Sequence, residues 1–162
     1  MIIKTARLGE LVVEAQDIIN FNPGLLGFEN LTSFVLVDIA DIPNFKWLQS
    51  IENAELAFLL VDPFTIKKGY CVELNDDVAE KLDISAPEDV LVYTIVTVPK
   101  GGFKDATTNL VGPVIINWTK KKGKQIIFER DNNSIKYPLL TGSRAPVAET
   151  LVSAVNDKRH NR

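Results

Sequence analysis

Two nearly continuous apolar runs, residues 57–61 ("AFLLV") and 90–98 ("VLVYTIVTV"), constrain this chain more than any other feature. Successive side chains of a strand point to opposite faces, so a run without polar alternation needs apolar cover on both sides. Neither run approaches the roughly 18 residues of a membrane span. Strands of this kind suit a closed or strongly curved barrel, in which one face lines the interior and the other is covered from outside.

The rest of the chain supplies further strands. Residues 2–5 and 11–14 flank "ARLGE", where Gly9 can take positive φ, and they read as an N-terminal hairpin. "DIINF" is a short strand broken by Asn22, Pro23 and Gly24. In "FNPGLLGFE", Gly24 and Gly27 bracket a tight loop that places Leu25 and Phe28 against the barrel, with positive φ expected at Gly24. "SFVLVDI" and "FKWLQSI" are two more strands, the second putting Phe45, Trp47 and Gln49 on one side. "PVIINW" and "KQIIFE" enclose "TKKKG", which reads as a hairpin tip carrying lysines. No βαβ spacing repeats, so a doubly wound sheet is not expected. Helix is scarce. "NDDVAEKLDI" offers Asn75 as an N-cap, acids in the first turn, and Val78 and Leu82 four apart. In "PVAETLVSAV", Pro146 suits the first helical position, and Val147, Leu151 and Val155 share a face. The fold class is therefore mainly β: a small antiparallel barrel-like domain over residues 1–140, with short helical insertions. Residues 141–162 form a C-terminal extension, either helical or disordered.

The chemical inventory is thin. The single histidine, His160, lies two residues from the end of the chain, so a Ser-His-Asp or Cys-His arrangement has no well-placed base. Cys71 is the single cysteine, which permits no internal disulfide, agrees with a reducing compartment, and reads as a packed thiol. One His and one Cys do not make a zinc site. No phosphate-binding glycine motif is present; "PKGGFK" lacks the required spacing. No catalytic residue, cofactor or metal is expected. Asp62, in "LAFLLVDPF", has no chemical partner in sequence. Pro63 cannot donate to a ladder, so Asp62 reads as a strand terminator that accepts N–H groups in the following turn, with Phe64 covering the barrel end.

Taken in order, "INFNPGLLGFE", "FKWLQSI", "LAFLLVDPF", "IVTVPKG", "TTNLVGPVIIN" and "GKQIIFE" resemble the bacterial flagellar assembly factor family FliW, over about residues 1–140. Each motif is weak alone; the ordered set is specific. The departures are Leu26, where the family often has proline, Thr108 in place of the common alanine of "Thr-Ala-Asn", and the extension beyond Leu140. The resemblance implies a cytoplasmic, non-enzymatic protein. Such proteins bind the translational regulator CsrA and flagellin as alternative partners. Flagellin that accumulates occupies the factor and frees CsrA to repress flagellin translation; secretion of flagellin reverses this.

Charge adds a site expectation. Residues 73–89 hold seven acids against one base, Lys81. Glu73, Asp76, Asp77 and Glu80 are the candidate partner-binding residues, because an RNA-binding regulator carries a basic surface that an acidic patch would steer. The same acids also read as a solvated helix face. The opposite feature is "WTKKKGK", four lysines beside Trp118, which sustains the alternative of a small β-barrel RNA-binding protein. Against it stands the acidic balance of residues 1–140, 14 bases to 19 acids.

Overall fold

The structure, a computed structural model, describes residues 1–129 and 133–140. The expected tail helix, His160 and the whole extension 141–162 lie outside the described residues. The strands are β1 (Ile2–Thr5), β2 (Gly9–Val12), β3 (Ile19–Phe21), β4 (Ser33–Asp38), β5 (Phe45–Ser50), β6 (Ala57–Val61), β7 (Val90–Thr97), β8 (Thr107–Thr108), β9 (Val114–Asn117), β10 (Lys122–Gln125) and β11 (Tyr137–Pro138). β1 and β2 form a separate hairpin, with Gly9 at φ +71° as the turn requires. The other strands run in the order β11-β8-β7-β6-β5-β4-β3-β10-β9, and β9 returns to pair with β7. Seven strands, β3 to β7 with β9 and β10, therefore close into a barrel. Every pairing around it is antiparallel except β3 with β10, which is parallel.

The long run of β7 serves three neighbours. Residues 90–93 pair with β9 and residues 94–96 with β6, while Val96 and Thr97 also pair with β8 on the edge that β9 vacates. Alternation along the apolar strands now has a physical account. Leu60, Leu91, Tyr93, Val114 and Ile116 join Ile19, Phe21, Phe34 and Leu48 in the barrel interior. The intervening residues Leu59, Val61 and Val96 face outward under Leu8 of the N-terminal hairpin, Ile39, Ile42 and Leu139. Ile115, Val90 and Val92 face outward under Val78 and Leu82. Both faces carry apolar neighbours, so both alternate sets are apolar.

Two glycines are fixed by close approach. A Cβ on Gly123 would lie 2.4 Å from two ring carbons of Phe21 inside the barrel. A Cβ on Gly24 would meet the carbonyl oxygens of Phe28 and Leu31. Positive φ was the expectation for Gly24; instead the left-handed residue of that loop is Gly27, at φ +88°, and Gly24 is required because the loop folds its own backbone onto it. Leu25 is fully buried as expected, whereas Phe28 is 40% exposed and lies edge-on against Phe58, centroids 5.2 Å apart.

Polar residues of the quoted stretches hold loops together. Gln49, fully buried, donates Nε2 to the carbonyls of Ser50 and Leu56, and Ser50 Oγ accepts from the N–H groups of Glu52 and Asn53. Asn109 Oδ1 accepts from Val111 and Gly112, and Gln125 bridges Leu26 N–H to the Gly112 carbonyl. Asp62 is the strand terminator expected: its Oδ1 accepts the Phe64 N–H at 2.9 Å and caps the 3-10 turn Pro63–Thr65. Phe64 does not cover the barrel end, however. It is 49% exposed, leans on Tyr70 and lines an open groove beside Val90 and Val92.

Candidate partner-binding surface

The acidic segment is mounted on the barrel by one helical turn and one asparagine. Helix α1 (Asp76–Lys81) starts where Asn75 Oδ1 accepts the Val78 N–H at 2.9 Å, and acids occupy its first turn, where the helix dipole favours them. Val78 and Leu82 are buried against Ile115 of β9. Asn117, at the end of β9 and fully buried, donates Nδ2 to the carbonyls of Leu82 and Asp83, and its Oδ1 accepts from the N–H groups of Thr119 and Lys120. That one side chain ties the end of α1 to the β9–β10 turn, so its hydrogen-bonding capacity is filled.

With Val78 and Leu82 inward, Asp76, Asp77 and Glu80 are exposed on this short element, and Glu73, just before its cap, is exposed as well. The structure brings the four predicted residues together on one solvent-facing segment. Asp77, Asp83 and Asp89 are among the acids engaged within the chain. Asp77 pairs with Lys81 at 3.2 Å, an exposed contact of small energy. Asp83 pairs with Lys122 at 2.6 Å, and the Lys122 hydrogen bond and charge hold its carboxyl below the usual carboxylate range. Asp89 accepts from the Thr119 hydroxyl.

Two concavities flank α1. On one side is an apolar groove of about 440 Å3 whose walls include Phe64, Val72, Leu74, Ile84, Val90 and Val92. On the other is a cleft of about 460 Å3 lined by Lys81, Lys120, Lys121, Lys122, Lys124 and Asn20 among others. The hairpin lysines are not gathered at a loop tip as the sequence suggested. Asn117 closes the turn on Thr119 and Lys120, Lys121 takes φ +55°, and Lys122 and Lys124 fall within β10. Lys121 folds back, its ammonium 2.7 Å from the Trp118 carbonyl and 3.3 Å from the Trp118 ring centroid; burial lowers its pKa against the pull of Asp17.

Sequence reasoning missed the groove. Its signal is faint: Tyr70, Val72 and Leu74 alternate with Cys71 and Glu73, a half-buried pattern in a segment without regular structure. The same alternation turns Cys71 outward, so the thiol is exposed rather than packed. Among the described residues, no group of three His, Cys, Asp or Glu could hold a metal ion, and no helix is long and apolar enough to cross a membrane.

Comparison with known proteins places this architecture. The sequence profile of the family described as FliW protein matches residues 2–139. The flagellar assembly factor FliW of Moorella thermoacetica is 42% identical over 143 residues, covering 88% of this chain and 90% of the relative. That of Ruminiclostridium cellulolyticum is 39% identical over 142 residues, covering 86% and 95%. A crystal structure of the flagellar assembly factor FliW superposes with a TM-score of 0.79 at 35% identity, over 87% of this chain and 98% of that one. With profile, relatives and barrel in agreement across residues 2–139, the chain belongs to the FliW family of flagellar assembly factors.

Proposed function

We propose that this chain works in the cytoplasm, without catalysis, by binding the translational regulator CsrA and flagellin as alternative partners, so that free flagellin determines how much CsrA is left to repress flagellin translation. The observation that carries the CsrA arm is the exposed acidic segment on its fixed mount. Glu73, Asp76, Asp77 and Glu80 project from an element anchored by Val78, Leu82 and Asn117, which keeps the charges together without ordering them at the moment of binding. An RNA-binding regulator must present a basic surface, and a fixed acidic patch speeds encounter with it while repelling RNA. The test is the variant Glu73→Lys/Asp76→Lys/Asp77→Lys. Association with CsrA should slow and lose its salt dependence while the melting temperature stays close to that of the parent. An unchanged rate and salt slope would reduce the patch to a solvated face. Adding flagellin to a preformed CsrA complex should release CsrA; a stable ternary complex would contradict the alternation.

A second reading, direct RNA binding, is favoured by the cleft with five lysines. Three of them are already committed, to Asp77, Asp83 and Trp118, which weakens the cleft as a phosphate track. A labelled-RNA shift assay with Lys120→Glu/Lys124→Glu beside the parent chain separates the readings. A shift abolished by the variant would support RNA binding.

A further inference from the structure

We propose that the open edge of β2, with the groove beside it, is a strand-addition site for an extended segment of another protein, one that alternates an aliphatic side chain with an arginine or lysine on the same face. The site lies on the N-terminal hairpin and shares no residue with the acidic segment, so it goes beyond the alternation of partners proposed above and does not depend on it.

The edge follows from the register. Val13 N–H donates to the Met1 carbonyl at 2.7 Å, which makes Met1 and Val13 a hydrogen-bonded pair. An antiparallel ladder alternates, so Ile3–Leu11 and Thr5–Gly9 are bonded pairs as well, while Ile2–Val12 and Lys4–Glu10 are not. The N–H and C=O groups of Glu10 and Val12 therefore point away from β1. Among the described residues β2 pairs with β1 alone, so these groups form an open strand edge. Sheet edges are ordinarily blunted by a charge, a proline, a bulge or a covering loop. Glu10 guards one end of this edge. At the other end stands Val12, β-branched and 77% exposed, with Ile2 across from it at 64%.

The groove shows which edge is offered and what fits it. It holds about 310 Å3, and β2 lines it with Leu11, Val12 and Val13 whereas β1 lines none of it, so it lies on the open side of the hairpin. Val35 and Val37 of β4 and the exposed Trp118 line it too. β4 has a barrel neighbour on each side and can offer only side chains, so backbone bonds to an added strand come from β2. The charged residues of the lining are both acids, Asp17 and Asp38. Asp17 Oδ2 accepts the Glu14 N–H and Asp38 Oδ1 accepts Lys46 Nζ at 2.6 Å, which leaves the second oxygen of each for a cation. A strand laid on β2 turns every second side chain into the groove. Aliphatic groups there meet Val12, Val35 and Val37, and a basic group meets Asp17 or Asp38. In such a complex the backbone bonds give affinity and the alternate side chains give selectivity.

The probe is a short acetylated peptide with valine and arginine on one face and threonine on the other, titrated into the isotopically labelled full-length chain. Amide signals of residues 10–13 should shift saturably, and exchange of the Glu10 and Val12 amides should slow at least about tenfold at saturation while barrel amides stay unchanged. Exchanging the peptide's arginine for glutamate should weaken binding several-fold, and methylating its edge-facing nitrogens should abolish it. Val12→Pro removes an outward N–H that the hairpin does not use, so it should abolish binding at an unchanged urea midpoint. Asp17→Asn/Asp38→Asn leaves the edge intact and should erase the preference for arginine over glutamate. No saturable shift at residues 10–13, equal affinity for the plain and methylated peptides, or a preference that survives Asp17→Asn/Asp38→Asn would each overturn the proposal. A dimer of the chain alone that Val12→Pro dissolves would give the edge to a second copy and overturn it too.

Discussion

Gly123 carries the most exact steric demand in the barrel, and Gly123→Ala tests it. The added methyl would lie 2.4 Å from Cε2 and Cζ of Phe21 and 2.9 Å from Cε1, where carbon–carbon contact needs about 3.5 Å. The ring has nowhere to go: Phe21 is fully buried and packs edge-on against Phe34, centroids 5.4 Å apart. Replacing glycine in a strand would otherwise stabilise by roughly 0.5–1 kcal/mol, because the unfolded chain loses freedom. Overpacking costs about 1–3 kcal/mol, and more where no neighbour can yield, so the net expectation is a loss of about 1–3 kcal/mol. For a chain of this size that lowers the melting temperature by roughly 2–12 °C. The decisive measurement is a double-mutant cycle in urea with Phe21→Leu, which removes the obstructing ring. The pair should be coupled favourably by at least about 1 kcal/mol, the methyl filling part of the space the ring leaves. A neutral Gly123→Ala, or strict additivity with Phe21→Leu, would refute the reasoning.

Gly24→Ala should destabilise by about 1–3 kcal/mol, seen as a lower urea midpoint at unchanged slope, because the new methyl meets the backbone oxygens of Phe28 and Leu31 rather than a movable side chain. Asn117→Leu should cost about 2–4 kcal/mol and raise amide exchange in α1 before the barrel strands, since it strands four backbone groups at the end of α1 and in the β9–β10 turn. Burial, helped by the charge of Cys71, pushes the Tyr70 hydroxyl up to about 12, and it donates to the Leu110 carbonyl at 2.8 Å. A raised folded-state value means stability is complete below the ordinary tyrosine value near 10 and falls as pH climbs from there towards 12. Tyr70→Phe should flatten that alkaline decline in urea midpoints, leaving the smaller contribution of Tyr93, which burial also raises.

The barrel was legible because β6 and β7 are apolar at consecutive positions, and only cover on both faces explains that. Its closure was not: β10 pairs with β3 in parallel, and the period-two pattern of a strand is the same whichever neighbour it takes. The hydrogen-bonding duties of Gln49 and Asn117 were not legible, because their partners lie in loops that only the folded chain brings near. The acidic segment was visible as composition, since seven acids in seventeen residues need no structure to count. The groove was invisible because its walls come from separate stretches, around residues 64, 72–74, 79, 84–87 and 90–92, that only the folded chain brings together.

The parallel pairing of β3 with β10 also fixes when the barrel can form. It sets Asn20 opposite Lys122, about a hundred residues later in the chain. At ordinary rates of synthesis, the first barrel strand therefore leaves the ribosome roughly 5–20 s before the strand that will lie beside it. Until then β3 to β7 can pair only as a sheet with two open edges, and Phe21, Phe34 and Leu60 lack the cover that Val114 and Ile116 give them in the closed barrel. The β9–β10 hairpin carries both closing pairings, β9 on β7 and β10 on β3, so the seam cannot close before that hairpin exists.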